Sequence, residues 1–196
     1  MITYIKGTYT EKKPTSVVLE TVSGVAYHIN VSLHTFTKIQ TDKTGKLFTH
    51  FHVKEDAQTL YGFAEDSERI LFRYLISVSG IGPTTAQVML SSLNPAEIQD
   101  AIVNGKVDVL KACKGIGAKT AQRVILELKD KLAKLGLANP SLPIATDTNH
   151  KEEALNALLA LGIAKSGAQR AINRAMRNTP TINSVEQLIK LALKEM

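Results

Sequence analysis

The apolar positions of this chain follow two regimes that change over near residue 65. Before that point, short runs rich in β-branched and aromatic residues occupy positions 2–9, 17–21, 26–31, 46–53 and 59–63. Lys-Pro-Thr, Ser23-Gly24 and the Asp42 to Gly45 stretch punctuate them. Such runs, bounded by turn residues, predict strands. Five of them in the first 65 residues predict a small closed barrel of the oligonucleotide-binding type, with a sandwich fragment as the alternative.

From Asp66 onward the period becomes helical. Ile70, Leu71, Tyr74 and Leu75 share one face of a helix over 67–77. Asn94-Pro95-Ala96-Glu97 opens another: Asn caps, Pro sits in the first turn where its missing N–H costs nothing, and Glu reaches back. A short helix follows over 107–113. A long one over 118–135 carries Ala121, Ile125, Leu128, Leu132 and Leu135 as its apolar stripe. Residues 138–150 then lose all period, contain two prolines, and predict a linker. The remaining residues, 151–196, predict three short helices. Ala154, Leu155, Leu158 and Leu161 line the first; Ala168, Ala171, Ile172 and Ala175 line the second. Ser184 and Gln187 form a capping box for the third, which is lined by Leu188, Leu191 and Ala192. The expected organisation is multidomain α+β: a barrel over 1–65, helices over 66–137, a linker over 138–150 and a three-helix domain over 151–196.

Composition narrows the function classes. No run approaches the roughly 20 apolar residues of a membrane-spanning helix, and the N-terminus lacks a signal-peptide layout. The single cysteine, Cys113, has no partner for an internal disulfide, which fits a reducing cytoplasm; it reads as a small core residue. The net charge of +6 permits nucleic-acid binding. Basic and acidic side chains number 7 and 6 over residues 1–65, 10 and 8 over 66–150, and 7 and 4 over 151–196. The excess is thin everywhere, so a nucleic acid would have to be gripped by placed groups.

An internal repeat supplies such groups. Gly80-Ile81-Gly82-Pro-Thr84-Thr85-Ala-Gln-Val-Met-Leu90 aligns with Gly115-Ile116-Gly117-Ala-Lys119-Thr120-Ala-Gln-Arg123-Val-Ile125 at an offset of 35 residues, with six of eleven positions identical. Leu75 and Leu110 each stand five residues before the first glycine. Each copy predicts helix, Gly-Ile-Gly hairpin, helix. The glycines allow a tight turn and close approach, and the isoleucine tucks between the helices. The N–H groups after the turn are unpaired donors at a helix N-terminus, where the dipole favours an anion. Thr84, Thr85, Lys119, Thr120 and Arg123 can add side-chain contacts. Two such clamps predict sequence-neutral binding of a DNA backbone across the minor groove. A plain helix–helix turn is the bland alternative for one copy. A P-loop is excluded, because Ala118 and Cys113 stand where its glycines are required.

These residues also carry a resemblance that extends over essentially the whole chain. The opening strand through Gly7, the run from Phe48 to Phe63, the doubled helix-hairpin-helix and the Ala157 to Gly162 segment resemble the RuvA family of bacterial Holliday-junction-recognition proteins. The resemblance implies an oligonucleotide-binding-type barrel, tandem helix-hairpin-helix motifs, a linker and a three-helix, UBA-like domain. It implies a homotetramer, one or two per junction, that holds a four-way junction open and square-planar in recombination and repair. It implies docking of a RuvB-type hexameric AAA+ motor on the third domain, with a RuvC-type resolvase as a further partner. No catalytic site, cofactor or metal of its own is expected.

The resemblance assigns Glu55 and Asp56, in the turn between two predicted strands, to an acidic pin. Without it they read as surface turn acids. Thr84 and Ala118 stand where the family often has lysine, so the ionic share of binding is expected to be smaller. Ile163 replaces a frequent tyrosine. Leu155, Leu158, Leu161 and Ile163 are the nominated motor contacts, with core packing as the alternative for each. A general helix-hairpin-helix repair accessory factor is the alternative function. His28, His34, His50, His52 and His150 show no metal-ligand spacing beyond His50 and His52 on one strand face, and a packed or solvated role is expected.

Overall fold

Side chains alternate inward and outward along β1 (Tyr4–Lys13), with Ile5 and Tyr9 buried and Tyr4, Lys6 and Thr8 exposed. Alternation continues through β2 (Ser16–Glu20), β3 (Ala26–Val31) and the middle of β4 (Thr44–Val53), whereas Leu60 to Phe63 of β5 (Gln58–Phe63) are buried on both faces. The strands close into a barrel in the order β1-β2-β3-β5-β4, antiparallel throughout except for the parallel β3–β5 pair. Closure leaves no open edge, and Ile5, Tyr9, Val17, Leu19, Ile29, Val31, Ile39, Leu47 and Leu60 fill the interior. The computed structural model describes residues 2–40, 43–134, 146–178 and 184–195.

One helix departs from the expectation. Between β3 and β4 lies α1 (Leu33–Lys38), whose N-cap Ser32 accepts a hydrogen bond from the Thr35 N–H. Six residues without an apolar stripe give no period to detect. After the barrel come α2 (Asp66–Ile76), α3 (Pro83–Ser92), α4 (Pro95–Val103), α5 (Val107–Lys111) and α6 (Ala118–Lys134). The capping box of α4 has both arms: Asn94 Oδ1 accepts from Glu97 N–H at 2.9 Å, and the Asn94 N–H donates to Glu97 Oε2 at 2.8 Å. Cys113 is buried in the helical core, and burial pushes its thiol up, away from reactivity.

The outer face of the barrel packs against the helices. Phe72 of α2, fully buried, stacks its ring within 5.4 Å of His50, 5.2 Å of Tyr61 and 5.0 Å of Phe63 on the outer face of β4 and β5. Tyr61 and Phe63 thereby join the cluster that runs through Leu71, Leu75, Met89, Ile98 and Leu110 to Leu132 of α6. The barrel interior and the helices therefore keep separate cores, joined where the outer face of β5 packs into the helical one, and residues 1–140 form one compact unit.

A buried carboxylate fastens the same joint. Glu68 of α2 is fully buried and accepts from Ser32 Oγ at 2.5 Å and Thr35 Oγ1 at 2.7 Å, while Thr35 Oγ1 accepts from the Ala64 N–H. Burial pushes its pKa up, against the hydrogen bonds from Ser32 and Thr35 and the charges of His34 and Lys38. The folded state therefore holds the proton to higher pH than the unfolded chain does. Its contribution is complete below the unfolded value of about 4.3 and declines as pH rises through the folded one. Glu68→Gln keeps the size and removes the charge. Its deficit in thermal stability against the parent should be largest near pH 4 and narrow towards pH 7; a deficit independent of pH would contradict this.

The second unit, 141–196, contains α7 (Thr146–Ala160), α8 (Lys165–Asn178) and α9 (Val185–Lys194). Ala154, Leu158, Ala168, Ala171, Ile172, Ala175, Leu188 and Ala192 form its core. Helix α7 begins at Thr146, so the last five residues of the expected linker, 146–150, are helical, and 138–145 lie outside the described residues. Leu135 of the α6 stripe also lies outside them. No described helix is long and apolar enough to cross a membrane.

Candidate nucleic-acid interface

The two copies of the repeat build one backbone motif twice. In the first, Val78 N–H bonds Leu75 O and Ile81 N–H bonds Val78 O; in the second, Cys113 N–H bonds Leu110 O and Ile116 N–H bonds Cys113 O, all at 3.1–3.2 Å. Gly80 and Gly115 lie at φ +95° and +89°, a region L side chains rarely adopt. Ile81 and Ile116 turn into the shared core at 5% and 6% exposure, as the repeat predicts. Ala86 N–H then bonds Gly82 O, and Ala121 N–H bonds Gly117 O, which starts α3 and α6 at matching points.

The first-turn N–H groups of an α-helix have no intrahelical partner, and Gly82 provides no side-chain cap. Around these donors Thr84, Lys119 and Arg123 are exposed, and Thr85 and Thr120 are half-buried. No described group forms an ion pair with Lys119. Gly82 and Gly117 are informative for a different reason. Neither has positive φ, and a Cβ built on either would meet nothing within 4 Å. The chain itself does not require glycine there. Glycine leaves the space beside the first-turn amides open.

The hairpins are neighbours. A Cβ on Gly115 would stand 3.9 Å from Thr85 Cγ2, and Arg123 Nη1 donates to Ser79 O at 3.1 Å. Arg123, nominated as a DNA contact, thus has one donor engaged between the two motifs. The offset also pairs Ser79 with Lys114, which is exposed beside Gly115. That lysine was not among the nominated residues, although extending the repeat by one position towards the N-terminus reveals it.

Residues 1–62 match the RuvA N terminal domain, 72–130 the SAM-like helix-hairpin-helix tandem, and 149–196 the RuvA C-terminal domain. A protein of Christiangramia forsetii named Holliday junction branch migration complex subunit RuvA is 48% identical over 196 residues, covering all of both chains. The chain belongs to the RuvA family. Relatives of the same name from Flavobacterium psychrophilum and Bacteroides fragilis are 45% and 44% identical, again over the full length of each chain.

Two further regions of this RuvA-family chain bear on the nominated sites. Glu55 and Asp56 sit at the tip of the β4–β5 hairpin, where the Lys54 N–H bonds Ala57 O at 2.8 Å. Both are exposed, and no described cation pairs with either. In the second unit the four nominated docking residues separate. Leu158 is fully buried, so it packs the three-helix core and offers no contact surface. Leu155 and Ile163 are partly buried against that core, and Leu161 alone of the four is strongly exposed, at 64%. His50 and His52 stack 6.2 Å apart, and His50 also packs on Phe72. Desolvation, then Arg73, His52 and Arg69, holds His50 below its usual pKa. Among the described residues no group of three or more His, Cys, Asp or Glu is arranged to hold a metal ion.

Proposed function

We propose that this protein binds four-way DNA junctions by their phosphates, holds them open as a homotetramer, and presents its C-terminal unit to an AAA+ motor that drives branch migration. The paired hairpins carry the reading. Each offers unpaired N–H groups at the start of a helix behind a glycine that the chain itself does not need. An anion is the ligand such a site accepts, and two sites side by side suit successive phosphates flanking a minor groove. Gly80, Ile81 and Gly82 with Thr84 and Thr85 form one clamp; Gly115, Ile116 and Gly117 with Lys119 and Thr120 form the other. Neither reads bases, as suits a protein that must slide.

The acids at the β4–β5 tip make the protein a junction binder. Carboxylates on a surface meant for ordinary duplex only weaken it. At the centre of four copies, eight of them face converging phosphates. A carboxylate–phosphate pair at ~4 Å costs roughly 1 kcal/mol in water and nearer 4 kcal/mol at a protein surface. That repulsion opposes coaxial stacking of the arms and keeps exchanging strands apart. The protein supplies no bond-breaking chemistry in this scheme, and ATP hydrolysis belongs to the motor. Leu161 is the most exposed large apolar residue described in the C-terminal unit, and in this scheme it contacts the motor.

The test is a double variant. Glu55→Gln with Asp56→Gln should bind an immobile junction at least as tightly as the parent, while motor-driven migration slows. Weaker junction binding would end the repulsion argument.

A further inference from the structure

The two hairpins lie side by side and are tied by a hydrogen bond. Thr85, on the first motif's helix α3, stands near Gly115 of the second hairpin, 3.9 Å from where a Cβ would be; Arg123, on the second motif's helix α6, donates to the Ser79 carbonyl of the first. We propose that Arg123 is a positioning residue of the clamp, one that sets where the first hairpin presents its amides relative to the second. This rests on the phosphate-clamp reading above.

The geometry gives Arg123 leverage. The Ser79 carbonyl and the Gly80 N–H belong to one peptide plane, and in a trans peptide they point in opposite directions. A guanidinium that holds the carbonyl toward α6 therefore turns the Gly80 N–H away from α6. Gly80 sits at φ +95°, in a broad glycine well, so its plane needs an external hold.

The asymmetry of the repeat says why the brace runs this way. The second hairpin carries Lys114 and Lys119, and the matching positions in the first are Ser79 and Thr84. The first clamp thus has no ammonium of its own and depends on how its amides are aimed. The position matching Arg123 in the first motif is Val88, half-buried, so the second hairpin receives no equivalent guanidinium.

The test is a double-mutant cycle on the full-length protein with linear duplex, titrated at several salt concentrations. Arg123→Ala should weaken binding about three- to tenfold without changing the salt slope. Lys119→Ala, which removes a phosphate cation, should flatten that slope by about one ion. In a Gly82→Ala background, where the first hairpin is already blocked, Arg123→Ala should add little. Full additivity, or a slope flattened as by Lys119→Ala, would make Arg123 an independent phosphate ligand and overturn the brace. If Gly82→Ala alone leaves duplex binding unchanged, the hairpin reading fails and the brace fails with it.

Discussion

Alanine at both Gly82 and Gly117 should weaken DNA binding by at least about a hundredfold while leaving the protein folded. Neither position has positive φ, and the added methyl groups meet nothing within 4 Å. An alanine at a helix N-cap typically costs about 1 kcal/mol relative to glycine at each position, and reduced freedom of the unfolded chain offsets part of that. On the proposed clamp, each methyl instead occupies the space through which a phosphate would reach the first-turn amides. A hydrogen bond to a charged group is worth about 1.5–3 kcal/mol, so losing one per hairpin gives the expected effect. Fluorescence anisotropy with labelled duplex, alongside thermal unfolding, separates the outcomes. Undiminished binding by a folded double variant would show that the hairpins are only helix–helix turns.

The second large effect is on stability. Phe72→Ala should cost about 3–5 kcal/mol, read as a lowered denaturant midpoint. Phe72 is fully buried and touches His50, Tyr61 and Phe63. Truncation removes the ring that joins β4 and β5 to α2 and leaves a cavity between the part carrying the acidic tip and the part carrying the hairpins. Binding should suffer too, because pin and clamps would lose their common frame. A cost below about 1 kcal/mol would mean that the barrel and helices are joined chiefly elsewhere, with the Glu68 hydrogen bonds as the next candidate.

The repeat was the most legible feature of the sequence because identical residues at a fixed offset impose identical backbone constraints. Both Gly-Ile-Gly turns, both buried isoleucines and both helix starts follow from it. The five strands were legible from their β-branched runs; β3 has the expected ends, and the largest difference, four residues, is at the end of β1, where Thr10 to Lys13 continue the strand without an apolar residue to mark it. Helix α1 was not legible, since its short length leaves only a cap as its signature. The start of α7 was hidden because residues 146–153 contain no apolar side chain, and a period cannot be read from polar residues. Among the candidate docking residues the sequence left contact and core packing open, because periodicity gives the buried face of a helix but not which apolar residues escape it; Leu158 lies in the core. The link from Arg123 to Ser79 spans 44 positions in sequence and belongs to tertiary geometry alone.

The most direct measurement is a gel-shift titration of a synthetic immobile four-way junction against linear duplex of equal length at near-physiological salt. Structure-specific recognition by four copies with acids at the centre predicts a preference for the junction of about a hundredfold or more, near 2.7 kcal/mol. Equal affinity would contradict it, leave the paired hairpins as a generic duplex clamp, and remove the role assigned to Glu55 and Asp56.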